Sequence, residues 1–313
     1  MISVVIPLYN KEQSVNATLD SVLAQTFHDF EVVVVDDGST DESANVVRGF
    51  LQKDNRIRLV EKENGGVCSA RNQGIKESRG EYIAFLDADD NWDKDYLTEQ
   101  VRMIRDFPEA AMWGINFAEL SNGKLVRTLA TGLSEGYRGY VENYFQMKGR
   151  VSDLFCSSSV VIRKEVFEKV GGFDERIKYA EDNDMWFRII ATNKVAFYDR
   201  YMVYYMYDAE NRALKRKIRL KDYLPFFVDK YKEPVFRQNS IFYRWINQWS
   251  AQQIRRYFFS SDASEREDAL IAVKKLDYNE IPPKYVYLYK MPRVISEVVN
   301  ALDWIKVRLK DSL

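Results

Sequence analysis

The first hundred residues alternate short apolar runs with amphipathic stretches, and every run ends in a polar or loop-forming group. Ser3–Ile6, Phe30–Val35, Ile57–Val60 and Tyr82–Leu86 are rich in β-branched and aromatic residues and read as strands. Pro7 is expected to end the first of them. Val15, Leu19, Val22 and Leu23, then Val46, Val47, Phe50 and Leu51, fall at helical spacing, and Ser69–Ser78 reads as a third helix. Ser39 with Glu42 three positions later predicts a capping box for the second helix. Strands alternating with helices imply right-handed crossovers, hence an α/β fold with a mostly parallel, Rossmann-like sheet covered on both faces. Ligands of such sheets lie beyond the carboxyl ends of the strands. The groups expected to meet there are Pro7-Leu8-Tyr9-Asn10, Asp36-Asp37-Gly38-Ser39, Asn64-Gly65-Gly66 and Asp87-Ala88-Asp89-Asp90.

Composition narrows the chemistry. The 313 residues are 46% hydrophobic, enough for a sizeable core and too many for a disordered chain. His28 is the single histidine, which rules out multi-histidine metal sites, and it is expected to be structural, so a Ser-His-Asp triad is not expected. Cys68 and Cys156 are far apart and form no CxxC, so neither a disulfide framework nor a cysteine zinc site is expected. Chemistry therefore falls to carboxylates. The opening MISVVIPLYN shows no basic leader, and no run approaches the ~18 apolar residues of a membrane span, so a cytoplasmic location is expected.

Asp87 and Asp89 stand at i and i+2, on one side of an extended chain. Two carboxylates held close favour a cation between them, and an oxygen-only donor set suits Mn2+ or Mg2+ with diphosphate completing the shell. A solvated acidic turn, with Asp90-Asn91 opening a helix, is the competing explanation. Asp36-Asp37 closes the second strand, where an acid commonly meets a nucleoside; capping of the next helix is the competing explanation, and Ser39 is expected to serve that already. Arg71 and Asn72 open a helix after Gly65-Gly66, so the guanidinium is placed either for a phosphate or base edge or for a surface ion pair. No G-x-G-x-x-G follows the first strand, which argues against a dinucleotide cofactor.

Five ordered segments, SVVIPLYN, VVVVDDGSTD, ENGGVCSARNQGI, GEYIAFLDADD and GGFDE with AEDNDMWFRI, together resemble the family 2 glycosyltransferases of the GT-A fold, over about Ile2 to Tyr205. The resemblance implies an inverting glycosyltransferase moving a hexosyl or N-acetylhexosaminyl unit from a nucleotide-sugar, a UDP-sugar, to an acceptor hydroxyl in bacterial cell-surface polysaccharide or glycolipid synthesis. Pro7, Tyr9 and Asn10 would line the uridine pocket, and Asp37, or Asp36 in its place, would bind the uracil N–H. Asn64 and Arg71 would contact base or phosphate, and Asp87 the ribose and metal. Asp89 would be the principal metal ligand and Asp182 the catalytic base. Many members carry a histidine after the last strand; here the matching stretch is Tyr204-Tyr205-Met206-Tyr207-Asp208, where Asp208 or water would take its place. The alternatives are a sugar-phosphate nucleotidyltransferase, whose glycine-rich start is missing, and a non-catalytic nucleotide-sugar-binding module, which would predict a broken acidic motif or base, whereas both are intact.

The chain's charge divides near Asn211. Residues 211–313 hold 21 Lys and Arg against 12 Asp and Glu, and the preceding 210 hold 25 against 35. Residues 1–210 are thus expected to form the catalytic domain and 211–313 a helical, basic, aromatic-rich extension. Arg212, Lys215, Arg216, Lys217 and Arg219, and a late helix with Val294, Val298, Leu302, Trp304, Ile305, Lys306, Arg308 and Lys310, suit an anionic membrane surface and a lipid-linked saccharide acceptor. A subdomain packing its aromatics inward, or a homo-oligomer interface, explains the same residues. No nucleic-acid-binding motif is present, and the acidic body opposes such a partner.

Overall fold

The computed structural model describes residues 1–121, 123–127, 132–147, 154–210 and 218–291. The chain divides into two compact units, Met1–Lys217 and Ile218–Leu313.

The first unit is a ten-stranded sheet with helices on it. Its strands are β1 (Ile2–Leu8), β2 (Phe30–Asp36), β3 (Ile57–Glu61), β4 (Tyr82–Phe85), β5 (Asn91–Trp92), β6 (Ala110–Ser121), β7 (Lys124–Arg127), β8 (Arg138–Tyr140), β9 (Val160–Arg163) and β10 (Lys194–Met206). Its helices are α1 (Val15–Leu23), α2 (Ser43–Leu51), α3 (Val67–Glu77), α4 (Tyr96–Asp106), α5 (Val166–Val170) and α6 (Glu181–Thr192). The sheet order is β3-β2-β1-β4-β9-β6-β10-β5, with β7 beside β6 and β8 beside β10. The expected parallel arrangement holds from β3 through β4. Beyond it β9 runs antiparallel to both neighbours, and β6 and β10 are parallel to each other. The chain steps from β1 outward through β2 to β3, then returns to place β4 on the other side of β1. That reversal opens a crevice beyond the carboxyl ends of β1 and β4.

The helices bury the faces their periodicity predicts: Val15, Leu19 and Val22 of α1, and Val47 and Phe50 of α2, join β1 and β2 in one core. Pro7 lies inside β1 and does not end it. Val5 O accepts from Leu86 N, and β4 pairs only with Ile2–Val5, so Pro7 faces that edge past the last ladder bond and its missing N–H costs nothing there. The expected capping box is also absent. Helix α2 starts at Ser43 with no side-chain cap, because the Ser39 hydroxyl is taken by Asn10 N (3.0 Å) from the β1 loop.

The second unit carries α7 (Leu224–Lys230), α8 (Pro234–Arg237), α9 (Ser240–Phe258), α10 (Ala263–Val273) and α11 (Pro283–Lys290). Asn239 caps α9 and Asp262 caps α10 through their side chains. Phe227 stacks on Trp249, and Tyr231 sits edge-on to Phe236 and Phe242. These aromatics form the unit's own core. Arg212, Lys215, Arg216 and Lys217, and the late helix with Val294, Val298, Leu302, Trp304, Ile305, Lys306, Arg308 and Lys310, lie outside the described residues. No helix among the described residues is long and apolar enough to cross a membrane.

Helix α3 approaches β1 closely at one glycine. A Cβ on Gly74 would lie 2.2 Å from Val5 Cγ1, a buried, β-branched side chain with no room to turn. Replacing a mid-helix glycine by alanine would ordinarily add up to about 1 kcal/mol of helix propensity. Overpacking costs about 1–3 kcal/mol and wins here. Gly74→Ala is expected to lower the urea midpoint at unchanged m-value, and a raised midpoint would show that α3 can shift off β1.

Candidate active site

Four strand ends meet at the crevice, each held by its neighbours. In the β1 loop, Asn10 takes a left-handed conformation (φ 51°) that non-glycine residues rarely adopt. Asn10 Oδ1 accepts from Thr40 N (2.8 Å), while Asn10 N donates to Ser39, so the β1 and β2 loops are tied together. Pro7 and Tyr9 are half-buried along the same edge. Asp36 is buried and accepts from Ser39 N (3.2 Å).

Asp37 is also buried, and its carboxylate gathers the next loop. Oδ1 accepts from Lys62 Nζ (2.7 Å) and Gly65 N (3.0 Å), and Oδ2 accepts from Gly66 N (2.7 Å). Asn64 is exposed at the tip of that loop. Its backbone N would lie 3.0 Å from a Cβ on Gly38, itself at φ +74°, so only glycine lets the two loops approach. Asp37 thus organises the start of α3 and leaves its oxygens spanned by N–H donors.

The acidic motif after β4 differs from the expected geometry. Asp90 N donates to Asp87 O (3.0 Å), so Asp87-Ala88-Asp89-Asp90 is a tight turn and not an extended chain. Nor does Asp90-Asn91 open a helix: Asn91–Trp92 is β5, and α4 begins only at Tyr96. Ser158 clamps the turn, accepting from Asp87 N (3.1 Å) and donating to Asp90 Oδ2 (2.5 Å). Asp90 Oδ1 accepts from Met206 N (3.1 Å) at the end of β10. Burial, with Asp89 and Asp87 beside it, pushes the Asp90 carboxyl well above the ordinary range.

Arg71 joins this turn to α6. Its buried guanidinium donates to Asp87 Oδ1 (2.8 Å) and Glu181 Oε1 (2.9 Å) and lies over the Phe173 ring. Against the cost of desolvation, the Asp87 and Glu181 carboxylates hold it charged. It is no surface ion pair. Asn72, one position on, clasps the Phe173 backbone, its Nδ2 donating to Phe173 O (2.9 Å) and its Oδ1 accepting from Phe173 N (2.8 Å). Arg188 gathers the carbonyls of Val170, Gly171 and Gly172 and pairs with buried Asp184 at 2.8 Å. These contacts fix the approach to α6, which Ala180 enters in a left-handed conformation (φ 58°). Glu181, Asp182 and Asp184 occupy its first turn, where the helix dipole favours negative charge. Asp182 is half-buried and accepts from Asn183 N (2.7 Å). Burial, and the Glu181 carboxylate next to it, push Asp182 up to about 7.

Three contributors escape the sequence pattern. Glu181, Lys11 and Glu210 are joined to the site by ion pairs and hydrogen bonds spanning 110, 78 and 199 positions. Lys11 Nζ donates to Asp89 Oδ2 at 2.6 Å. Asp208 accepts from Ser121 Oγ at 3.4 Å. No group of three or more candidate metal-ligating side chains occurs among the described residues. Asp87 and Asp89 offer only hard oxygen donors, the chemistry that would suit a divalent cation.

The pattern of glycosyl transferase family 2 matches residues 3–171. The protein is 32% identical over 188 residues to the uncharacterized glycosyltransferase EpsJ of Bacillus subtilis, covering 58% of this chain and 54% of EpsJ. It is 24% identical over 269 residues to hyaluronan synthase of Pasteurella multocida, covering 86% of this chain and 26% of that protein. The chain thus spans about half the length of the first relative and about a quarter of the second. Its fold superposes on S. aureus TarS 1–349 in complex with UDP-GlcNAc with a TM-score of 0.71 at 22% identity, covering 94% of this chain and 88% of that one. The matched residues run from β1 through α5 and hold the groups after β1, β2, β3 and β4, and on that extent of its length the chain belongs to glycosyl transferase family 2.

Proposed function

We propose that the protein transfers a glycosyl unit from a UDP-sugar to an acceptor hydroxyl, with inversion at the anomeric carbon, in the assembly of a bacterial surface polysaccharide or glycolipid. The observation that carries this reading is the Arg71 bridge, which brings the acidic turn after β4 beside the first turn of α6, where Asp182 stands with its carboxyl pushed up to about 7. The TarS complex with UDP-GlcNAc and the likeness to hyaluronan synthase support the choice of donor and product class.

In this mechanism Asp182 takes the proton of the acceptor hydroxyl as its oxygen bonds to the anomeric carbon. The bond from that carbon to the diphosphate oxygen breaks, and UDP departs. Asp87 and Asp89 would hold Mn2+ or Mg2+, which when bound supplies positive charge to the leaving diphosphate. Arg71 keeps Asp87 aimed while tying the base helix to the same turn. Pro7, Tyr9 and Asn10 wall the nucleoside, and Asp37 with Asn64 borders its base. The membrane contact expected for the extension rests largely on residues outside those described, whereas the described aromatics serve the second unit's core. A hydroxyl acceptor is therefore proposed without commitment to a lipid carrier.

Asp182→Asn should keep UDP affinity within a few-fold while transfer falls by roughly 10²–10⁴-fold. An Asn variant that loses UDP affinity yet keeps its transfer rate would reverse the assignment. For the unmodified enzyme kcat/KM should rise with pH through about 7 as Asp182 ionises.

The same group makes a stability prediction. A carboxyl raised in the folded state binds its proton more tightly there than in the unfolded chain. Its contribution to stability is complete below the unfolded value near 3.8 and is lost as pH rises through about 7. Asp182→Asn cannot ionise, so its Tm should exceed wild type at pH 8 and match it near pH 4. Equal Tm at both pH values would mean that Asp182 titrates normally.

Asp89→Asn removes one negative charge at nearly constant shape and should cost on the order of 10²-fold in Mn2+-dependent turnover. Metal-dependent turnover close to wild type would remove Asp89 from the site.

A further inference from the structure

We propose that Lys11 is a resident counter-ion of Asp89, holding the cation position of the crevice until a divalent metal displaces it. The inference rests on the reading of Asp89 as a metal ligand. Lys11 Nζ lies 2.6 Å from Asp89 Oδ2 and 2.5 Å from the Glu210 carbonyl oxygen. The Lys11 and Asp89 side chains are only 12% and 14% exposed, so the ammonium is largely withdrawn from water. A carboxylate and a carbonyl are the hard oxygen donors that Mg2+ and Mn2+ also take. A metal bound to Asp89 and an ammonium hydrogen-bonded to it would be two cations within about 5 Å, which repel. Occupation is therefore competitive.

Lys11 is placed for this, and its position is held from both sides. Its own N donates to Ser43 Oγ (2.7 Å), directly after the left-handed Asn10. On the far side the Glu210 carboxylate accepts from Gln13 N (3.2 Å), Ser14 N (3.2 Å) and Ser14 Oγ (2.5 Å). That grip brings the chain following β10 back onto the β1 loop and fixes the Glu210 carbonyl over the ammonium. Met206 N on Asp90 anchors the same stretch to the acidic turn. The arrangement neutralises an acid that would otherwise repel Asp87. It also sets a threshold that metal must overcome before the site is charged for catalysis.

The test is a Mn2+ titration followed by the electron paramagnetic resonance signal of free Mn2+, without nucleotide, on folded wild type, Lys11→Met, Glu210→Gln and Asp89→Asn. Lys11→Met keeps the stem and removes the charge, and should tighten Mn2+ binding roughly tenfold, about 1.4 kcal/mol. Glu210→Gln weakens the grip on the carbonyl and should tighten binding by a smaller factor in the same direction, while Asp89→Asn abolishes binding. Unchanged or weaker binding by Lys11→Met, with Asp89→Asn still inactive in binding, overturns the proposal and leaves Asp89 a metal ligand. Should Lys11→Met not fold, unchanged or weaker binding by Glu210→Gln overturns it equally. Wild-type binding by Asp89→Asn, or no binding by the other three proteins, removes the metal assignment and the proposal together.

Discussion

The buried guanidinium of Arg71 is the contact on which the site depends. It is 2% exposed, yet it carries a full charge between Asp87 and Glu181. Burying such a group costs several kcal/mol, which only close, hydrogen-bonded partners offset. Removing the guanidinium would leave the Asp87 and Glu181 carboxylates facing each other without their shared cation. The bridge thus constrains three elements at once: α3, which supplies it, the turn after β4 and the first turn of α6. Helix α3 can supply it because Gly74 lets the helix lie directly on β1. One close helix–strand contact therefore sets the spacing between the acidic turn and the residue read as the base.

The loops around this bridge are made rigid by mutual hydrogen bonding. Asn10, in the β1 loop, and Ala180, before α6, are both in left-handed backbone. Such residues cost of order 1–3 kcal/mol each and persist only where surroundings over-determine them. At Asn10 the surroundings are Ser39, Thr40 and Ser43, and before Ala180 they are the Asn72 clasp and the Arg188 gather. Asp37 serves the same end by binding three N–H donors of the β3–α3 loop. A carboxylate expected to read a base is thus first a carboxylate that shapes the loop against which a base would lie.

What could be read from the chain is what local pattern controls. Runs of β-branched residues located β1 through β4, and the loop-forming groups after them located the crevice, because both signals lie within a few residues of each other. The acidic turn was visible as composition but not as shape, since Asp90 folds back on Asp87 through Ser158, some 70 positions away. The capping box failed for a related reason: the Ser39 hydroxyl that would cap α2 is recruited by the β1 loop. Lys11 and Glu210 left no trace, because a lysine after a strand and a glutamate after another are ordinary surface residues until the fold joins them. Glu181 had a weak trace, its adjacency to Asp182, but its partner Arg71 lies 110 positions earlier.

Three aspartates in and around the crevice show how environment divides one residue type among roles. Asp184 is fully buried and meets Arg188 at 2.8 Å, so its charge is matched and it serves to hold the turn before α6. Asp90 is buried with two carboxylates nearby and only neutral donors in Ser158 and Met206 N, so burial favours its protonated form. In that form it can brace the acidic turn without adding to its charge. Asp182 is raised by burial and by Glu181 but eased by Arg71, and the balance leaves it at about 7, where a proton can be taken and returned. Burial raises both Asp90 and Asp182, and of the two only Asp182 has a guanidinium, that of Arg71, to draw it part of the way back.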